Sequence, residues 1–388
     1  MECERRTPLL ADEWMDMIVI DGHADTPQRF TDEGWDFCGP LRGGHLNAES
    51  ARHGGLSAEF FAIWVQPDEW RGRYAHRTLE LIDGVYKQLL KHPRELALGL
   101  RAEDVRRAHA EGKFCVLLGL EGGHSIENSL ALLRVYHRLG VRYMTLTWSN
   151  SNEWADSSGD LDDANALHHN GLTHFGREVV REMNRLGMMV DVSHVSDKTF
   201  WDVLETTHAP IIASHSSARA LTDVPRNLTD EQLRAVATSD GIVMVNFYTG
   251  FVDDAWRETW SASAAERDAI TEARTAEYRK RGEPVPYSIA LTVDREFYAE
   301  RAATLKRPPY SRVVDHIDHV AKVAGIDHVG IGTDFDGFPI LPEGIENAAD
   351  MPKIFAALAE RGYTREQMRK IAGGNLLRVM EAVEKVAE

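Results

Sequence analysis

The sequence predicts a (β/α)₈ barrel. Short β-branched apolar runs recur eight times, and amphipathic helical segments separate most of them. Polar residues able to hold a metal stand at the carboxyl ends of five of these runs. In a barrel all such ends open on one face, where active sites form.

The runs are Met17–Asp21, Glu59–Val65, Phe114–Glu121, Arg142–Thr147, Met188–Ser193, Pro210–Ser214, Gly241–Phe247 and His328–Thr333. Stretches such as IVI, CVLLGL and GIVMVNF have no polar alternation. That pattern suits parallel strands covered on both faces. Arg77–Lys91 reads as a helix through Leu79, Ile82, Val85 and Leu89, and Gly171–Leu186 reads as another. A doubly wound open sheet is the alternative architecture.

The stretch 253–309 departs from this rhythm. It is rich in Arg, Glu and Ala, and reads as a mostly helical insertion before the last strand, over the barrel mouth or at a subunit contact. Near the end, Thr364 and Gln367 form a capping box. Gly373-Gly374-Asn375 is expected to break the helix so begun, with a last helix over Leu376–Val386. The chain is read as one domain, 1–388.

The 388 residues are 43% hydrophobic and 27% charged, enough to bury a large core without disulfides. A formal net charge of −17 opposes binding to nucleic acid or anionic lipid, since both need a positive footprint. Cys3, Cys38 and Cys115 are far apart and read as incidental thiols. The opening MECERRTPLLADEWMD has too short an apolar run for a signal peptide, and no stretch reaches the roughly 18 apolar residues of a membrane span. The expectation is a soluble cytoplasmic protein.

The first run ends in DGHAD, where His23 and Asp25 are two apart and so share one side of an extended chain. Glu121 closes CVLLGL, and a carboxylate buried there needs a partner or a metal. His194 and His215 close two adjacent runs, each after a serine. Asp334 follows the last run and is a candidate ligand or general acid/base, whereas Asp336, before Gly337, reads as a turn residue. His124, just past Glu121, is a candidate support for it. Three histidines and three carboxylates exceed what one ion needs. A carboxylate can bridge two ions roughly 3.5–4 Å apart. Nitrogen and oxygen ligands without thiolate favour zinc, with manganese or iron as alternatives.

The motifs DGHADTP, RHGGLSAEFF, LEGGHSIEN, GMMVDVSH, PIIASHSSARAL, PRNLTD, GIVMVNFY and GIGTDFDG, in this order, resemble the renal or membrane dipeptidase family of zinc peptidases. The resemblance runs through nearly the whole chain. It implies an amidohydrolase-type barrel with two zinc ions per chain, a metal-activated hydroxide and a homodimer. By match, His23 and Asp25 hold one ion, His194 and His215 the other, and Glu121 bridges them. Asp334 would shuttle the proton, and Arg226 would hold the substrate carboxylate. The implied substrate is a dipeptide, including one with a C-terminal D-residue.

Two positions depart from the family pattern. Trp148 stands where the family's LTH motif has its histidine, and Phe251 stands where a tyrosine is common near the substrate. Both lie on the substrate side and leave the metal side intact. They keep open another hydrolysis on the same centre, of an amide, lactone or carbon–carbon bond in a small acid. A non-catalytic metal-binding protein is disfavoured by Asp334 beside a full ligand set. A nucleic-acid-directed metallohydrolase is disfavoured by the acidic balance.

Overall fold

The computed structural model describes residues 16–387. Cys3 and most of the opening segment read above lie outside the described residues. Among the described residues, no helix is long and apolar enough to cross a membrane.

Nine strands among the described residues form one parallel sheet: β1 (Val19–Ala24), β2 (Leu56–Trp64), β3 (Leu96–Leu98), β4 (Phe114–Glu121), β5 (Val141–Thr145), β6 (Met189–Asp191), β7 (Ile211–Ala213), β8 (Ile242–Val245) and β9 (Val329–Ile331). Every strand but β3 belongs to a closed ring. β2 pairs with β4 along its length, and β9 returns to β1 through Asp21 and Ile331. The doubly wound alternative is thereby excluded. The additional strand, β3, pairs only with Phe114–Val116, at the start of β4 and before β5 begins its own pairing at Leu118.

Alternation along the strands separates two packed layers. Ile20, Ala58, Phe60, Leu117, Tyr143 and Met244 belong to one buried cluster. Their neighbours Val19, Phe61, Ile63, Val116 and Leu118 pack in another, which includes Leu81 and Val85 of the helix Tyr74–Lys91. The helix His174–Leu186 starts at Thr173, whose hydroxyl accepts the Gly176 N–H.

Several strands are shorter than their apolar runs because buried aspartates interrupt the ladder. Asp191 accepts the backbone N–H of Ser193 and of Ser214 at 3.0 and 2.9 Å. Asp21 accepts the Thr333 N–H at 2.7 Å and its hydroxyl as well. These carboxylates take donors that a neighbouring strand would otherwise satisfy. The chain then turns away to present Ser193–His194, Ser214–His215 and Asp334.

Between β8 and β9, after a single helical turn at Thr249–Val252, lie three longer helices, Asp254–Ala262, Ala264–Arg281 and Ser288–Arg301, followed by Ser311–Val323. The first and third pack Trp256, Trp260 and Phe297 with Ile340 in a small core of their own.

The expected break at Gly373-Gly374-Asn375 does not occur. The helix Arg365–Arg369 passes through a single π turn at Lys370–Gly374 into Asn375–Val386. A Cβ at Gly373 would lie 2.6 Å from the Ile18 carbonyl. This glycine lets the helix pack against the chain entering β1, a role that sequence alone reads as a break. Asn375 turns inward and donates to the carbonyls of Ile326 and Val329, both at 2.8 Å.

Candidate metal centre

The six expected side chains converge on one buried cluster. Glu121, at the end of β4, is its centre. Its Oε2 lies 3.3 Å from His23 Nε2, which is 3.6 Å from Asp25. Its Oε1 lies 3.0 Å from His194 Nε2 and 3.5 Å from His215 Nε2. One carboxylate thus presents one oxygen to each of two ligand pairs. Asp334 joins the His23–Asp25 side, with ligand atoms of all three within 4.8 Å.

The histidines are oriented by their second nitrogens. Tyr143 donates its hydroxyl to the Gly22 carbonyl and can accept from His23 Nδ1 at 2.8 Å. Ser214 donates to Asp191 at 2.6 Å and lies 2.7 Å from His215 Nδ1. Ser149 stands 3.4 Å from His194 Nδ1. With Nδ1 so engaged, each Nε2 offers a lone pair to the cluster, the arrangement that metal-binding imidazoles take. His23 Nε2 has no hydrogen-bond partner among the described residues. His194 and His215 bring their Nε2 atoms within 3.0 Å of each other.

The electrostatics ask for cations. Burial, then Arg226, hold His194 down at about 4. Burial and His23 hold His215 well below its usual range. Both are therefore neutral and competent ligands at pH 7. Burial and Glu121 push Asp25 up to about 6. Burial, with Asp25 and Glu121, pushes Asp334 well above the carboxylate range. Burial also opposes charge on Glu121, but His23, His194 and His215 outweigh it and hold this carboxylate ionised. His23 is pushed up by Tyr143 and Glu121 against its burial, so its surroundings favour a positive charge there. Two buried carboxylates and the half-buried Asp334 around three imidazoles fit divalent cations, since buried charge persists only when it is paired.

Backbone geometry at the site is unusual. His194 and Asp334 have φ of 69° and 63°. Such conformations cost on the order of 1–3 kcal/mol each and persist where the surroundings enforce them. Gly337 is required here, because a Cβ would lie 2.2 Å from Asp334 Oδ1 and 2.5 Å from Asp25 Oδ2. Asp336 is the turn residue expected, with φ 64° and hydrogen bonds from Thr26 and the His45 N–H. His124 bonds the Val65 carbonyl at 2.8 Å.

The cluster opens into a cavity of about 350 Å³. Arg226 lines it, buried, with Nη1 donating to Ser216 and Nη2 to the His215 carbonyl, both at 3.2 Å. Its Nε has no partner among the described residues. Phe251 lies under Arg226, ring centroid 5.1 Å from Cζ. Trp148 also lines the cavity and packs on Trp64 at 4.9 Å.

The helices Asp254–Ala262 and Ser288–Arg301 add to this wall. Trp260, Leu291 and Asp294 face the cavity from them, with Tyr287 just before the latter. Tyr287 also bonds the Gly337 carbonyl.

Sequence reasoning missed Tyr143, Asp191, Asn246 and Tyr248. Asn246 donates to Asp334 at 3.1 Å and to the His215 carbonyl at 3.3 Å. Tyr248 brings a phenol to the cavity beside Phe251, 4.7 Å between rings. A polar residue closing the apolar run GIVMV was the available signal for Asn246.

The family model for membrane dipeptidases, peptidase family M19, matches residues 12–388. The chain belongs to this family. Solved structures agree. The probable dipeptidase PvdM from Pseudomonas aeruginosa is 28% identical, with a TM-score of 0.80 over 97% of this chain and 98% of that one. A Rhodobacter sphaeroides metallo peptidase liganded with a phosphinate mimic of the dipeptide L-Ala-D-Ala is 27% identical, with a TM-score of 0.74 over 95% and 100%. A further M19 structure, dipeptidase AC, gives 27% and 0.74 over 95% and 98%. The chain is thus a metallo-dipeptidase, and this cluster is its candidate metal centre.

Proposed function

We propose that this M19 metallo-dipeptidase works with two zinc ions per chain, cleaving dipeptides that carry a free C-terminal carboxylate, L or D. The observation that carries the reading is the division of Glu121 between His23–Asp25 on one side and His194–His215 on the other. Zinc held there would polarise the scissile carbonyl and lower the pKa of a water from 15.7 to about 7.

The chain's own residues do the rest. Asp334, held by Asn246, accepts the proton lost by the attacking water and returns it to the leaving amine. Arg226 offers a buried planar fork to the substrate carboxylate, which fixes both the register and the length of the substrate. The dipeptide mimic bound in the Rhodobacter relative supports a D-residue at the second position. Trp64, Trp148 and Phe338 suit an apolar side chain beside the scissile bond. A homodimer belongs to the same reading, and light scattering would test it.

Metal-replete protein should hydrolyse members of an L,L and L,D dipeptide library. Cleavage of an amide, lactone or carbon–carbon bond in other small carboxylate-bearing compounds, with no dipeptide turnover, would instead favour the alternative chemistry that Trp148 keeps open.

A further inference from the structure

We propose that a second cavity beside the metal cluster binds a small oxyanion, a carboxylate or a phosphate, between Arg29 and Arg295. This cavity measures about 250 Å³ and shares Asp25, Tyr287 and Leu291 with the first. Arg29 comes from the helix Pro27–Asp32 that follows β1, and Arg295 from the helix Ser288–Arg301. The exposed Arg42 lines it as well.

Arg29 is 8% exposed and firmly placed. Its Cζ lies 4.0 Å over the Trp35 ring, and Nη2 donates to the carbonyls of Leu41 and Arg42. Its Nη1 has no partner among the described residues. The Arg295 guanidinium makes no hydrogen bond or ion pair with a described residue, although its Nε is fully buried. The loop makes room for both groups. A Cβ at Gly44 would lie 1.9 Å from Arg29 Nη1, and one at Gly43 would lie 3.1 Å from Arg295 Nη1.

Of the cavity's carboxylates only Glu33 pairs with one of these arginines, and it does so at Nε, leaving Arg29 Nη1 without a partner among the described residues. Asp32 pairs with Arg77 at 2.6 Å, and Asp336 accepts from Thr26 and the His45 N–H. Glu33 stands 3.5 Å from Arg29 Nε, and Asp25 belongs to the metal cluster. What remains is a pair of guanidiniums with unused donors, and burial, then the repulsion of Arg29, hold Arg295 below its ordinary value against Asp336 and Glu33. Water can fill their donors but leaves the repulsion in place. An oxyanion relieves both and matches the planar fork of each group.

Two sources supply such an anion: free phosphate, or the acidic side chain of a substrate reaching past Tyr287. Calorimetric titration of the metal-replete enzyme with inorganic phosphate, chloride held constant, tests the first. Arg295→Met should weaken phosphate binding about tenfold or more, while Arg226→Met retains it. The ratio of kcat/KM for Glu-Ala over Gln-Ala tests the second. A ratio of about ten or more in the wild type, falling to near one in Arg295→Met, identifies a substrate side chain. Phosphate binding that ignores Arg295, together with a Glu/Gln ratio near one, overturns the site. The phosphate arm is independent of the dipeptidase reading. Arg295-dependent binding in a protein that cleaves no dipeptide would leave the site standing and remove the activity.

Discussion

Asp334 adopts φ 63° while Asn246 holds its carboxylate, and both features decide how it should be tested. Asparagine tolerates the left-handed conformation and can still accept from Asn246. Asp334→Asn should therefore fold, keep its metal and lose about 10²–10⁴-fold in kcat. Metal loss measured in the same preparation would make Asp334 an essential ligand. Arg226→Met should damage substrates with a free carboxylate and spare those with an amidated end; equal losses would show only a supporting role. At Trp148 the indole offers one donor and a broad apolar face where the family pattern has a histidine. Loss of one oxyanion donor costs about 2.7–4 kcal/mol in a hydrolase where it was measured. Trp148→His should raise turnover of ordinary dipeptides about tenfold, roughly 1.4 kcal/mol of barrier. A fall on every substrate would make Trp148 a working part of the site, and no change would reduce it to packing. The metal-competent residues were legible because each closes an apolar run. Tyr143 and Asp191 were not, because a tyrosine or aspartate inside a strand gives no sign of which histidine it orients.

The helix Ser311–Val323 carries a buried histidine whose role is structural and whose titration has a definite sign. His316 Nδ1 accepts the Ala218 N–H at 3.1 Å, which leaves Nε2 to donate to the Val252 carbonyl at 3.3 Å. Burial, assisted by Arg312, holds it at about 4 against the ordinary 6.5 of a histidine. Below pH 6.5 the unfolded chain takes up a proton that the native state refuses until about pH 4. Stability should therefore fall as pH falls through this window, by on the order of 3 kcal/mol from this group. Urea unfolding at pH 7 and pH 4.5, with chelator present throughout, should show a smaller acid loss in His316→Gln than in the wild type. Identical losses would remove His316 from the account. The elements were legible where burial was uniform, as in β2 and β4. They were misjudged where a tertiary contact overrode the local signal. β3 spans three residues of ELALGL and exists because Phe114–Val116 offers it an edge. Gly373 reads as a helix breaker and instead accommodates Ile18.

At the scale of the whole molecule, the ring of strands concentrates its least comfortable groups at one end. Asp25 and Glu121 are buried and Asp334 is half-buried, Asp25 and Asp334 are pushed up as acids by desolvation and their neighbours, and His194 and His215 face each other through bare Nε2 atoms. A cluster so arranged is stabilised by whatever cation satisfies it, and the unfolded chain cannot hold these residues together. Metal binding should then appear as folding stability. At free zinc 100 times the dissociation constant, one site adds about 2.7 kcal/mol, and a second site adds further. Melting temperature should rise with zinc and drop on chelation, and elemental analysis should approach two zinc equivalents per chain. Glu121→Gln discriminates between one ion and two. A bridging carboxylate serves both ions, so its neutral isostere should weaken both together and flatten the response of melting temperature to zinc. If one equivalent stays tightly bound in this variant, or if a preparation with a single ion has full activity, the bridged pair gives way to a mononuclear centre. In that case the second set of ligands would need another explanation.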